Sequence, residues 1–139
     1  MKKILITYQS KTGITKKYAE EIFNYLQSKG MDVSNVAIQD FTPELLNNTD
    51  ALLFGCWTHG LMIFLQHPDK PWVNFANALP DLDGGKTGLF TTYKLATGSI
   101  FKKMTKILNQ KSVEPSLELK SKNGSLSEND KNLLDKFIQ

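Results

Sequence analysis

Apolar residues gather at the start of the chain, where Ile4, Leu5, Ile6 and Tyr8 form a short run bounded by polar positions. Such a run reads as a strand buried on both faces of a parallel sheet. From Gly13 the spacing lengthens to three and four residues, through Ile14, Tyr18, Ala19 or Ile22, Tyr25 and Leu26, and Lys29-Gly30 supplies a stop, so a first helix is predicted there. Asp32 to Ile38 carries Val33, Val36 and Ile38 among polar neighbours and reads as a weaker strand near a sheet edge. Asp50 to Cys56 is a third strand, ending at Gly55-Cys56. The stretch Trp57 to Pro71 holds no sustained period and is read as a long loop, which in a compact domain usually carries function. A short helix follows over Trp72 to Leu79 with Pro71 in its first turn, then a fourth strand over Lys86 to Thr92 and an amphipathic helix over Gly98 to Leu108. Val113 to Leu119 alternates as a last strand. Ser127 caps a closing helix whose apolar set is Leu133, Leu134, Phe137 and Ile138, with Asp130 placed three residues after the cap.

Strands alternating with helices from end to end predict an α/β fold, an open parallel sheet with helices on both faces. In such sheets ligands lie beyond the carboxyl ends of the strands, where the strand order switches. The loops to examine are therefore Gln9 to Thr15, Trp57 to Pro71, and Tyr93 to Gly98.

Length and composition narrow the classes. The 139 residues suit a single domain spanning 1–139, and 40% hydrophobic with 22% charged residues is ordinary globular usage. No apolar stretch approaches the roughly 20 residues of a membrane-spanning helix, and the start lacks a secretory pattern, so a cytoplasmic protein without a membrane span is expected. Cys56 is the single cysteine, which excludes an internal disulfide and a cysteine-based zinc site. All 17 basic residues are lysines, spread along the chain for a formal charge of +3. Without arginine for bidentate base readout, nucleic acid is not expected as a partner.

The first of the three loops carries the clearest chemistry. Ser10, Thr12 and Thr15 contribute three hydroxyls, Gly13 permits close backbone approach, and the unpaired amides of a first helical turn follow directly. A helix amino terminus with free amides favours a phosphate, and the hydroxyls add hydrogen bonds without requiring a cation. A single hydroxyl there would read as a helix cap, but three exceed that need. The Gly-Lys-Ser/Thr ending of a triphosphate loop and the three glycines of a dinucleotide fingerprint are both missing, which leaves a phosphomonoester.

At these residues the chain resembles the flavodoxin family, whose signature runs aromatic, any residue, Ser or Thr, two residues, Gly, any residue, Thr, three residues, Ala, two residues, aliphatic. Here the pattern is met by Tyr8, Ser10, Gly13, Thr15, Ala19 and Ile22, and it departs at Thr7, where the family usually has an apolar residue. The resemblance extends over the whole length and implies a three-layer α/β/α sandwich with a five-stranded parallel sheet in the order 2-1-3-4-5. It further implies flavin mononucleotide (FMN) as cofactor. Its phosphate would be held by Ser10, Thr12 and Thr15 with the backbone amides of Lys11, Gly13 and Ile14 among those of the loop. The second and third loops would surround the ring through Trp57, Thr58, His59 and Gly60, and through Thr92, Tyr93, Lys94, Ala96 and Gly98. Trp57 and Tyr93 stand where the family commonly stacks aromatic faces on the flavin, a contact that excludes water and destabilises the more charged reduced forms.

Two features depart from the family. Its third loop often carries an acidic residue, whereas this chain reads Thr91-Thr92-Tyr93-Lys94 and places a lysine there. A cation near the ring is expected to make the potential less negative than that of acidic flavodoxins. The net positive charge also stands against the usual docking of an acidic flavodoxin onto a basic reductase. The implied function is a low-potential electron carrier, a monomer that meets a reductase and an electron acceptor as its redox partner proteins. The alternatives are a small flavin-dependent oxidoreductase, resembling a quinone reductase or the flavodoxin-like protoporphyrinogen oxidase, with His59 and the apolar run Leu61 to Leu65 shaping a substrate site, and a scaffold that kept the fold but lost the flavin.

Overall fold

The computed structural model describes residues 2–61 and 64–139, and at 60, 61, 64 and 65 it describes the backbone alone. The opening apolar run forms β1 (Lys3–Tyr8), with Ile4, Leu5 and Ile6 almost fully buried. Helix α1 (Ile14–Ser28) follows, and β2 (Asp32–Ala37) pairs parallel with β1, Ile4 opposite Val33. Its partly buried pattern suits an edge strand, and Ile38, expected in the strand, instead opens a short 3-10 turn. The remaining elements are β3 (Ala51–Leu61), β4 (Phe64–Pro68), α2 (Lys70–Asn77), β5 (Lys86–Thr92), α3 (Ile100–Asn109), β6 (Leu117–Ser121) and α4 (Glu128–Phe137).

The parallel strands lie in the order β2-β1-β3-β5-β6, the 2-1-3-4-5 order expected once β4 is set aside as a strand paired to β3 alone. Alternation along each central strand divides the core between two faces. Ile4, Ile6, Leu53, Phe90 and Leu119 pack with Tyr18, Ile22 and Leu26 of α1 and with Leu134 and Phe137 of α4. Leu5, Leu52, Phe54 and Leu89 meet Trp72 and Ala76 of α2 and Ile100, Met104 and Leu108 of α3 on the other face. Helix α4 begins at the cap expected at Ser127, and the structure makes it a capping box: the Ser127 hydroxyl accepts from the Asp130 amide while the Asp130 carboxylate accepts from the Ser127 amide. The buried Asp130 also accepts from the Tyr18 hydroxyl at 2.8 Å, which ties α4 to α1 on one face of the sheet.

Two expectations are corrected. Trp57 to Pro71 is not one long loop: β3 continues through Trp57, Thr58 and His59 and turns back as β4, with Thr58 opposite Pro68, His59 opposite His67 and Leu61 opposite Phe64. This hairpin is held by cross-strand pairing beyond the sheet, and among its buried positions is the polar Gln66, so it leaves no apolar period to read. Met62 and Ile63 of the apolar run lie outside the described residues. The last strand begins at Leu117 and not at Val113, because Pro115 has no amide to give the ladder. Val113 is buried against the α3 side of the core.

Gly55, in the middle of β3, sits opposite Tyr8 and Phe90 in its neighbouring strands. A methyl group on Gly55 would lie 2.0 Å from the Phe90 ring, which is fully buried and makes an edge contact with Tyr18 at 5.9 Å. The ring has no free direction in which to move, so Gly55→Ala is expected to destabilise the fold by about 1–3 kcal/mol through overpacking. Urea unfolding followed by circular dichroism checks this, and an unchanged midpoint would show that the ring yields.

Candidate functional site

The carboxyl ends of β1, β3 and β5 open onto one edge of the sheet, and the loops expected to carry chemistry leave from there. After Tyr8 the Gln9 amide donates to the Gly55 carbonyl at 2.9 Å, which holds the first loop against β3. The Ser10 hydroxyl accepts from the Gly13 amide at 3.0 Å and from the Lys16 amide at 3.3 Å, folding the loop back onto the start of α1. Gly13 stands before the helix with φ +92°, a left-handed backbone that a side chain would strain. Among the described residues, the amides of Lys11, Thr12, Ile14 and Thr15 make no hydrogen bond to the chain, and neither does the exposed Thr12 hydroxyl. Four unsatisfied donors and a free hydroxyl thus lie within five residues at the positive end of a helix dipole.

Thr15 is placed differently from Ser10 and Thr12. It is buried, and its hydroxyl lies 2.6 Å from that of Thr92 at the end of β5. A second hydroxyl pair, Thr58 with Thr91 at 2.9 Å, joins the hairpin to β5, and Thr91 also donates to the Cys56 carbonyl. These pairs lock the three loop origins to one another.

Between them lies a cleft of about 230 Å³ lined by Lys11, Thr12, Ile14, Trp57, Thr92, Tyr93, Lys94 and Lys122. Trp57 and Tyr93 both face it, and Lys11 and Lys94 also border a smaller hollow, about 190 Å³, with Trp57, Thr58, His59, Gln66 and Ala96. Trp57 is fixed along the hairpin: its indole donates to Asp69 at 3.0 Å, the Lys11 ammonium stands 5.0 Å from its ring centre, and the His59 ring stacks on it at 4.8 Å. His67 stacks on His59 in turn at 4.7 Å, and its Nδ1 lies 2.8 Å from the Pro68 carbonyl. Tyr93 is anchored by its amide to the Ser121 carbonyl, with the Lys122 ammonium 5.8 Å from its ring.

The structure thus brings Lys11, Thr12, Ile14, Trp57, Thr92, Tyr93 and Lys94 around one cleft and sets Thr58, His59 and Ala96 around the adjoining hollow. Ser10, Gly13 and Thr15 shape the loop beneath. Gly60 belongs to β3 past His59. Gly98 lies outside both hollows, in a groove along α3 and α4, where the backbone turns at φ +53° to enter α3 and an added Cβ would meet the Gln66 side chain. Lys122 and Asp69 escape a sequence reading, although the loop after the last strand opens on the same sheet edge and was open to inspection for Lys122. The Cys56 thiol is buried, its proton held by desolvation, and it contacts the Met104 sulfur at 3.8 Å as a packed core group.

The sequence profile of the flavodoxin domain matches residues 5–138. The chain belongs to the flavodoxin family. A flavodoxin of Megasphaera elsdenii is 32% identical over 93 residues, which is 67% of this chain and 66% of that relative, so the match spans just under two thirds of the relative's length. Among solved structures, a flavodoxin from the domain Archaea superposes with a TM-score of 0.74 at 20% identity over 99% of each chain. A Fusobacterium nucleatum flavodoxin mutant bound to flavin mononucleotide superposes with a TM-score of 0.64 at 21% identity, over 99% of this chain and 91% of that one. The last two likenesses concern the fold.

Burial raises the Asp69 carboxyl above the usual carboxylate range, against the lowering effect of the Trp57 indole. A carboxyl whose pKa is higher folded than unfolded binds its proton more tightly in the folded state, so its contribution is full below about pH 4 and is lost as pH rises through the raised value. Asp69→Asn is therefore expected to flatten the fall in stability across that window while keeping an acceptor for Trp57. Thermal melts of both proteins from acidic to neutral pH check this, and parallel curves would show that the carboxyl ionises at no cost.

Proposed function

We propose that the chain binds FMN at this cleft and works as an electron carrier between a reductase and an acceptor protein. The observation that carries the reading is the loop from β1 to α1, where free amides and the Thr12 hydroxyl face the end of a cleft walled by Trp57 and Tyr93. The residues present fit the group at both ends. The amides of Lys11, Thr12, Ile14 and Thr15, with the Thr12 hydroxyl, would hold the phosphate dianion, and Ser10 shapes the turn that presents them. Whichever of Thr15 and Thr92 donates to the other, one hydroxyl of the pair keeps a proton for a phosphate oxygen. Trp57 and Tyr93 offer flat faces for the ring, bordered by Thr58, His59, Thr92, Lys94 and Ala96. FMN supplies reversible one- and two-electron transfer at such a site. The chain's part is to exclude water from the ring, to hold it at the sheet edge, and to set the surrounding charge. Membership of the flavodoxin family favours the carrier over a small flavin-dependent oxidoreductase. The proposed setting is the cytoplasm and the proposed form a monomer; no described helix is long and apolar enough to cross a membrane.

Lys94 lies on both hollows, and no Asp or Glu is among the residues lining either. A cation there favours the more negative reduced flavin, so the potential is low but less negative than that of an acidic flavodoxin.

Two measurements test the reading. FMN titrated into the protein and followed by flavin fluorescence should bind with quenched emission. Thr12→Ala should weaken that binding roughly tenfold or more, the worth of one hydrogen bond to a charged group, while leaving riboflavin, which lacks the phosphate, bound as before. Equal loss for both ligands would remove Thr12 from the phosphate site, and no FMN binding by the unaltered chain would end the carrier assignment. Redox titration of Lys94→Glu should give a potential more negative by on the order of tens of millivolts at moderate salt, and an unchanged potential would show that Lys94 does not feel the ring.

A further inference from the structure

We propose that the mouth of the cleft is a docking face for an acidic redox protein, made by Lys11, Lys94 and Lys122 around the apolar side chains of Ile14 and Leu95. Among the described residues, the large apolar side chains left exposed are Ile14 and Leu95, at 38% and 58% of their surface. Ile14 borders the main cleft and Leu95 the adjoining hollow. The rest of the described surface hides such groups, so their pairing at this opening is a local feature with a local use.

The charge around them has one sign. Lys11, Lys94 and Lys122 line the opening, and none has a carboxylate partner among the described residues; the ion pairs there, Lys29 with Asp135 and Lys131 with Glu128, lie along α1 and α4. Asp69 is buried and bonded to the Trp57 indole, so it offers no carboxylate for contact at the surface, and the three lysines of the opening outnumber it. Lys17 and Lys103, by contrast, are spent on the carbonyls of Asn123 and Gln66. Apolar knobs inside a charged rim are the anatomy of a protein interface, and a cationic rim steers an acidic partner by long-range attraction. A nucleic acid would leave the two apolar knobs without partners, and a membrane would ask for a broader apolar face. The docking step rests on the carrier reading, since it brings the partner to the ring.

The test uses the full chain saturated with FMN and two probe proteins of opposite charge. The first is an acidic two-iron ferredoxin, whose reduced cluster gives one electron to the bound flavin; the second is cytochrome c, a basic protein whose oxidised haem takes one electron from the reduced flavin. Flavin loading is read first by absorption. Failure to load is failure of the carrier reading, and amide shifts of the flavin-free, nitrogen-15-labelled chain on adding oxidised ferredoxin then decide the docking face alone, by clustering around Lys11, Lys94 and Lys122 or not.

In the loaded protein, the ferredoxin rate is expected to fall roughly tenfold as ionic strength rises from about 0.02 to about 0.5 M, and the cytochrome rate to hold or rise. Lys94→Gln with Lys122→Gln should lose most of that salt dependence. Lys106→Gln with Lys136→Gln, an equal change in net charge on exposed positions of α3 and α4, should keep it. Equal effects of the two double variants, or faster reaction with cytochrome c at low salt, would overturn the proposal. So would retention of the chain on phosphatidylserine vesicles or duplex DNA that depends on the same lysines, with no lysine-dependent response to ferredoxin.

Discussion

The parallel register of β1, β3 and β5 is the constraint on which the rest of the molecule depends. Tyr8 lies opposite Gly55, Gly55 opposite Phe90, and Trp57 opposite Thr92, so β1 and β5, far apart in sequence, end within two residues of one level on β3. A slip of one residue would exchange the two core faces, placing Leu53 among the partners of Leu52 and Phe54, and would part the hydroxyls that tie the loops together. Gly55 is where this register meets sterics. The Phe90 ring fills the space a side chain would need, and the level of the strand ends is set by that fit.

Much of this was legible because the central strands are buried on both faces and the helices on one. Lys86–Thr92 was read with the bounds it has, and the first helix differs from its reading only at its ends. The hairpin was not legible, for a physical reason. Trp57, Thr58, His59 and His67 are stabilised by stacking and by pairing across β3 and β4, outside the apolar core, and hydrophobic periodicity reports only burial against a core. The same limit explains the site. The Ser10 to Thr15 loop could be recognised because hydroxyls, a glycine and a helix start stand close in sequence. Asp69 and Lys122 enter the site from other segments, and only the fold brings them to Trp57 and Tyr93.

The division of labour between Ser10, Thr12 and Thr15 shows how similar residues acquire different roles from position. Ser10 spends its oxygen on two amides and so decides the turn. Thr15, on the buried face of α1, decides the distance between the helix and β5. Thr12 alone stands exposed and without a partner among the described residues, and it is the hydroxyl left for an incoming ligand. Three hydroxyls in six residues therefore build one cradle by dividing the work of shaping it and of filling it.

The hairpin changes what Trp57 is. In a free loop an aromatic residue would have to be ordered when the flavin arrives, at a cost in conformational freedom of about 1–2 kcal/mol per backbone residue fixed. Here Trp57 belongs to a strand, its indole is held by Asp69, and His59 and His67 extend the stack along the hairpin. The wall of the cleft is set before a ligand enters, and binding energy that would have ordered the loop remains available for the phosphate and the ring. A rigid wall would also fix where the edge of a bound ring meets solvent, and Leu95 and the lysines border that opening. Because electron transfer falls steeply with separation, a carrier gains from holding that edge in one place and from leaving its partner, and not its own loop, to make the approach.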